Sequence, residues 1–203
     1  GLFDVLFPSW YHAVPVVGYR AKKFDAHEAM QLMADHGVRN VFLPPTALKL
    51  MRQAGVKHEG VRLRSIFSGG ESLGSELLDW VRTTFGVEAH EIYGQTECNL
   101  VVGNNSKLFP ILPGSMGKAT PGFDVRIVNE RGEVLPNGTT GIIGVRRPNP
   151  CMMLQYWANA DATAKKYAGD FLLTGDLGKR DDDGYLWYMS REDDVITSAG
   201  YRI

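Results

Sequence analysis

The sequence predicts an α/β protein: a parallel-sheet subdomain with packed helices, followed by a small distorted β-barrel subdomain. Three observations carry this. In the first half, short apolar runs alternate with capped segments of helical period, the grammar of a parallel sheet with helices packed on it. After about Leu100, strands and turns take over with few helices, as in a small barrel or sandwich. A chain of 203 residues, 44% hydrophobic and 22% charged, buries a sizeable core in one domain or in two small ones. The expected division is residues 1–110 for the α/β subdomain, 111–190 for the β-barrel and 191–203 for a hinge and the start of a further domain.

Asp25-Ala26-His27-Glu28 is a capping box, so a helix should run to about His36 and stop at Gly37. Met30, Met33 and Ala34 fall on one face of it and read as a core stripe. Asn40–Leu43 reads as a short buried strand. Pro45 suits a first helical turn, and Thr46–Ala54 reads as a second helix ended by Gly55. Ser65–Phe67 is the next strand and breaks into Ser68-Gly69-Gly70-Glu71-Ser72. A third helix, near Gly74–Phe85, carries Leu77, Leu78, Val81 and Phe85 on one side and ends at Gly86. Val87–His90 then leads as strand into Glu91-Ile92-Tyr93-Gly94-Gln95-Thr96-Glu97. Asn104–Pro113 reads as loop, and Phe123–Val128, Gly141–Arg146, Phe171–Thr174 and Tyr185–Met189 as strands. Asn129-Glu130-Arg131-Gly132, Pro136-Asn137-Gly138 and Asp181-Asp182-Asp183-Gly184 are turns, and Asp161–Tyr167 is a short helix.

Composition excludes several classes. A formal net charge of −1 leaves no electrostatic footprint for nucleic acid or an anionic membrane. Lys22-Lys23 and Arg62-Leu63-Arg64 read as solvated faces. No apolar run approaches a membrane span. Two cysteines, Cys98 and Cys151, make no disulfide framework, and a reducing cytoplasm fits best. Cys98 has nothing nearby to lower its pKa and reads as structural. The five histidines show no metal spacing, and no Ser-His-Asp order suggests a hydrolase. The start lacks a basic leader, a cleavage site and an initiator Met, so no signal peptide is expected. The chain stops at Gly200-Tyr201-Arg202-Ile203 without a turn or tail, and both ends look cut from something longer.

Residues 91–97 pack an aromatic plate, a flexible Gly, a hydroxyl and two carboxylates into one stretch. A stacking ring beside a phosphate-sized hydroxyl and a carboxylate fit for Mg²⁺ is what a nucleotide site needs. Segments 68–72 and 91–97 both follow strands, where ligands sit in parallel sheets, and are expected to line one crevice. Thr174-Gly175-Asp176 sets a carboxylate beside a Gly, in position for both hydroxyls of a ribose. Arg191 and Arg202 each offer a fixed fork of donors. Taken singly, each segment has a plainer explanation, such as a turn Asp or a solvated charge run.

Together and in order, Ser68-Gly69-Gly70-Glu71, Tyr93-Gly94-Gln95-Thr96-Glu97, Thr174-Gly175-Asp176 and Arg191-Glu192-Asp193-Asp194 through Ile203 resemble the adenylate-forming superfamily. Acyl-CoA synthetases, peptide-synthetase adenylation domains and beetle luciferases belong to it, and the resemblance covers nearly the whole chain. It implies that Gly70, Glu71 and Ser72 run along one face of the adenine, with Tyr93 against it and Glu91-Ile92 at its edge. It places Thr96 on the α-phosphate, Glu97 on Mg²⁺, Asp176 on the ribose hydroxyls with Arg191 assisting, and Arg202 on phosphate. Asp193 falls at the family's hinge, and Gly200 lies where the pantetheine tunnel of CoA passes. The implied reaction joins a small carboxylic acid and ATP into acyl-AMP and pyrophosphate, then forms a thioester with CoA. Its physics is mostly positional: in-line attack, with metal and cations holding the charge on the phosphate oxygens.

Acetate-specific relatives close the acyl pocket with bulky residues where this sequence has Gly94 and Gly69. The resemblance therefore implies a deeper pocket, for a medium-chain, branched or aromatic acid. The family's phosphate loop ending in Lys is missing; Thr139-Thr140-Gly141-Ile142-Ile143-Gly144 lacks the Lys and sits among strands. That loop would lie before Gly1 and the adenylation Lys beyond Ile203, so the piece alone is expected to be inactive. Ser190 replaces the usual Gly before Arg191, and Thr197 stands where many members carry Lys. Two other functions stay open: an adenylation domain loading a carrier protein, and a nucleotide-binding module without catalysis. A split sheet with an exposed former interface also leaves homo-oligomer formation open.

Overall fold

In the computed structural model the described residues are 2–57 and 59–192, with the backbone of Thr197–Ser198 and Tyr201–Arg202. Side chains before Val5 and after Glu192 lie outside them. The chain forms two compact units, Gly1–His90 and Glu91–Ile203. Among the described residues no helix is long and apolar enough to cross a membrane.

The first unit alternates helix and strand as expected. α1 (Leu2–Tyr11) is the exception. Pro8 within it removes a backbone donor, and for that reason propensity does not announce the helix. α2 (Ala26–Asp35) starts where the cap places it: Asp25 accepts from the Glu28 backbone N–H at 2.9 Å. The Glu28 carboxylate also faces the Tyr19 hydroxyl and raises its pKa. Met30 and Met33 are buried, and Ala34 is half-buried. α3 (Pro45–Gln53) has Pro at its first turn and buries Leu48 and Met51 completely. Each such side chain contributes about 1.5–3 kcal/mol of transfer free energy. α4 (Ser75–Phe85) buries Leu77, Leu78 and Val81; Phe85 is half-buried and meets Trp80 edge-on at 5.5 Å.

β1 (Asn40–Phe42) and β2 (Ser65–Gly69) pair in parallel, Val41 opposite Ile66. α3 lies between them in sequence, as a parallel connection requires. β1 is less buried than its apolar sequence suggests, with Asn40 exposed. The Asn40 amide oxygen instead accepts from Ser65 Oγ at 2.8 Å and Arg64 Nε at 3.2 Å, so a polar clasp fixes the start of the pair.

The second unit is antiparallel. β3 (Ala89–Gln95) turns through Thr96–Cys98 into β4 (Asn99–Gly103), which pairs with β5 (Lys118–Ala119). β6 (Val125–Val128), β7 (Gly141–Arg146), β9 (Phe171–Arg180) and β10 (Leu186–Arg191) form a curled sheet in the order β10-β9-β7-β6. β8 (Tyr167–Ala168) pairs with β9, and α5 (Ala160–Lys165) precedes it. Beyond β10, β11 (Thr197–Ser198) pairs with β12 (Tyr201–Arg202). The sheet is a half-barrel with β10 and β6 at its edges, the open form of the expected barrel. Its core is Cys98, Val101, Val102, Met116, Val125, Ile127, Ile143, Val145, Leu172 and Leu186. The fold class read from sequence is the one observed.

Candidate nucleotide site

Three irregularities in the second unit build the site: a turn, and bulges in two ladders. β3 does not end before Glu91 but runs on to Gln95, so Tyr93 and Gln95 are strand residues with fixed directions. Only Thr96–Cys98 forms the turn, closed by the Cys98 N–H on the Gln95 carbonyl at 3.1 Å. Thr174-Gly175-Asp176, expected just past a strand, lies in the middle of β9. There the register to β7 slips between Ile142 and Gly144. Gly175 has φ +76°, a left-handed conformation that side chains resist. Thr174 stabilises the bulge: its Oγ1 donates to the Ile143 carbonyl at 2.8 Å and accepts from the Asp176 N–H at 3.1 Å. In β10 a shift between Tyr188 and Ser190 brings Arg191 directly opposite Asp176. A strand reverses faces at each residue, so without that bulge Arg191 would point away.

Asp176 is the centre of the arrangement and is 7% exposed. Arg191 Nη1 donates to Oδ1 at 2.9 Å. Tyr93 Oη donates to Oδ2 at 2.6 Å, and Gln95 Nε2 approaches the same oxygen at 3.4 Å. A buried carboxylate needs such partners, since desolvating an unpaired charge costs several kcal/mol. Burial, and then the Asp176 charge, push the Tyr93 hydroxyl far above its ordinary pKa, so it stays a donor.

Two residues that sequence reasoning passed over support these motifs: Lys166 holds Gln95 of this cluster, and Tyr156 holds Glu97 two positions on. Lys166 Nζ donates to Gln95 Oε1 at 3.3 Å and to the carbonyls of Leu173 and Thr174, each at 3.1 Å. An ammonium only donates, so the amide oxygen of Gln95 must face Lys166 and its NH₂ must face Asp176. Gln95 Nε2 also reaches the Thr174 carbonyl at 3.2 Å. Tyr156 Oη donates to Glu97 Oε1 at 2.6 Å, while the Glu97 carbonyl accepts from the Met153 N–H at 2.7 Å. Gln95 stands inside a motif already singled out. Nothing in the local sequence marks Lys166, at the end of a short helix, or Tyr156, in a turn-rich connection.

The remaining expected residues lie as follows. Thr96 is exposed on the turn and Glu97 is half-buried. The Glu91 side chain is buried, and its carbonyl accepts from the Asn104 N–H at 2.8 Å. Ile92 pairs with Gly103. Gly94 sits at a shift in the β3–β4 register, and a Cβ built there falls 1.9 Å from the Asn99 carbonyl oxygen. Its missing side chain lets β4 approach, so a tryptophan at 94 moves backbone before it fills any pocket. In the first unit, Gly69 ends β2 and Gly70 has φ +92°. Glu71 accepts from Thr46 Oγ1 at 3.1 Å and lies 3.6 Å from Lys49, while Ser72 is exposed. Asp193 and Gly200 lie outside the described residues, as does the side chain of Arg202.

Cys98 is fully buried, and burial pushes its thiol up to about 11, in keeping with a structural role. Among the described residues no group of three or more His, Cys, Asp or Glu could hold a metal. Mg²⁺ does not require one: it commonly binds one or two carboxylates and takes its other oxygens from substrate phosphates and water. Glu97 alone, with Oε1 held by Tyr156, fits that pattern.

Known proteins are similar to this chain in sequence and fold. The human acyl-coenzyme A synthetase ACSM4, mitochondrial, is 39% identical over 203 residues, 98% of this chain and 35% of that protein. The anthranilate CoA ligase AuaEII, solved in complex with anthranoyl-AMP, is 26% identical with a TM-score of 0.81, covering 98% of this chain and 38% of that one. The O-succinylbenzoate coenzyme A synthetase MenE of Bacillus subtilis, solved with ATP and magnesium ion, is 27% identical with a TM-score of 0.80, covering 99% and 41%. The chain thus spans about a third of the length of the curated relatives it matches. The AMP-binding enzyme family matches residues 1–157, more than half of the chain, and with the relatives in agreement this chain belongs to that family.

Proposed function

We propose that the chain is part of an ATP-dependent, AMP-forming acid–CoA ligase and supplies its adenosine site. The observation that carries this reading is the convergence on Asp176 of Tyr93, Gln95 and Arg191, residues of separate motifs. Asp176 takes the ribose hydroxyls, Tyr93 lies against the adenine, and Gly70, Glu71, Ser72, Glu91 and Ile92 complete the nucleoside contacts. Thr96 meets the α-phosphate and Arg202 a phosphate oxygen. Mg²⁺ at Glu97 would stabilise charge on the phosphates. An oxygen of the substrate carboxylate attacks the α-phosphorus, the bond to the bridging oxygen breaks, and pyrophosphate leaves. The CoA thiolate then attacks the acyl carbon and AMP leaves. Asp193 is the hinge, residues 191–203 lead from it into a C-terminal domain, and Gly200 lies beside the pantetheine arm.

The acyl-CoA synthetase relatives favour CoA over a carrier protein as acceptor. Two structural relatives take aromatic acids by name, in line with a pocket deeper than acetate needs. Free Cys98 and Cys151 suit the cytoplasm in this reading. The test is pyrophosphate exchange by the full-length protein over a panel of acids, beside AMP binding to Asp176→Ala. Exchange with medium-chain, branched or aromatic acids is expected, with loss of AMP binding in the variant and no exchange by residues 1–203 alone. AMP binding by Asp176→Ala equal to the parent's refutes the site.

A further inference from the structure

We propose that Tyr156 is a positioning residue for the metal-binding carboxylate. Its hydroxyl fixes Glu97 through Oε1 and leaves Oε2 as the oxygen for Mg²⁺. The inference rests on the assignment of Glu97 to Mg²⁺ and names what holds that side chain in place.

The contact is built, not incidental. At 2.6 Å, Tyr156 Oη to Glu97 Oε1 has the length of a charge-assisted O–H···O⁻ bond. The same loop grips the same residue a second time, through the Met153 N–H on the Glu97 carbonyl at 2.7 Å. Both ends of the loop are anchored. Tyr167 Oη donates to the Met153 carbonyl at 3.3 Å. The Tyr156 N–H donates to Thr163 Oγ1 at 2.9 Å, and that hydroxyl donates to the Asn159 carbonyl at 2.8 Å. Asn159 in turn caps α5, accepting from the Ala162 N–H at 3.0 Å. The Tyr156 ring is therefore set by a capped helix, whereas Glu97 sits in a three-residue turn, Thr96–Cys98, on a long, rotamer-rich side chain. Left alone, such a side chain must be ordered by the metal itself, which weakens binding. Partners that orient metal-ligating carboxylates typically account for 10–100-fold in metal affinity.

The test uses the full-length protein in excess over a non-hydrolysable ATP analogue. Mn²⁺ is the spectroscopic substitute for Mg²⁺, titrated by electron paramagnetic resonance. Tyr156→Phe is expected to weaken Mn²⁺ about tenfold and to leave AMP affinity in EDTA unchanged, with a fall in melting temperature no larger than the loss of one hydrogen bond to a charged group brings. Tyr156→Gln, which keeps a donor, should recover part of the loss, and Trp157→Phe at the exposed neighbouring position should change nothing. Glu97→Gln is the parallel arm. If Glu97→Gln weakens Mn²⁺ and Tyr156→Phe does not, the positioning role is overturned while the Glu97 assignment stands. If neither variant moves Mn²⁺, the Glu97 assignment fails and takes this inference with it. A Tyr156→Phe loss that comes with equal losses in AMP affinity and melting temperature also overturns it, because the residue then only supports the fold.

Discussion

Removing the Tyr93 hydroxyl should make the protein less stable and its nucleotide tighter. A carboxylate has about four acceptor positions, two per oxygen. On Asp176, Arg191 takes one on Oδ1, and Tyr93 and Gln95 crowd Oδ2 at 2.6 and 3.4 Å. About one position remains, on Oδ1, whereas a ribose presents two hydroxyls. For Asp176 to hold both, Tyr93 or the weaker Gln95 must let go. A hydrogen bond to a charged group contributes about 1.5–3 kcal/mol. Tyr93→Phe should lower unfolding free energy by about that amount, measured by urea denaturation of the full-length protein. In the proposed site the variant keeps the ring for the adenine and no longer has to break the bond, so part of that energy returns as affinity. At 1.4 kcal/mol per tenfold, AMP should bind roughly 3- to 10-fold tighter by calorimetry, and 2′,3′-dideoxy-AMP should not. A fall in AMP affinity beyond tenfold, or equal changes for the two nucleotides, would refute the reasoning.

Gly94→Ala should destabilise the second unit by about 1–3 kcal/mol or more, since its Cβ meets the Asn99 carbonyl oxygen at 1.9 Å; a melting temperature equal to the parent's would show that β4 yields freely. Asp124 is opposed by burial, but hydrogen bonds from Arg146 and Arg126 outweigh it and hold the carboxyl below its ordinary range. A folded pKa below the unfolded one contributes stability above the unfolded value and loses it as pH falls through the folded one. Asp124→Asn should therefore cost at most about 1 kcal/mol near pH 7, the pair being partly exposed, and nothing once the pH is well below 4, as read by denaturation across that range. The Cys98 thiol, pushed up to about 11, should resist a thiol reagent at pH 8 while exposed Cys151 reacts; rapid labelling of both would contradict the burial.

How much of this was legible in the sequence depended on the range of the force involved. α2, α3 and α4 were readable because their determinants are local: the Asp25 cap, the N-terminal Pro45, Gly86 just past the last turn. α1 was not, because propensity at Pro8 argues against it. In the candidate site, Tyr93, Asp176 and Arg191 stand in short motifs that the sequence alone marks, but all three lie inside strands and not past their ends. Thr174-Gly175-Asp176 looked like a strand end because Gly and Asp disfavour strands. It is instead a bulge inside β9, held by the Thr174 hydroxyl and by pairing on both sides. Pairing across a sheet is a tertiary effect and overrides the local preference. The same holds for Tyr156 and Lys166, whose partners lie 59 and 71 positions away. A lysine that ends a short helix and a lysine that orients a partner's amide are written with the same letter, and only the fold brings Gln95 to it. Residues that contact a ligand leave a motif because the ligand's chemistry restricts them. Residues that hold those contacts need only a donor of the right reach, and a donor alone leaves no pattern in a sequence.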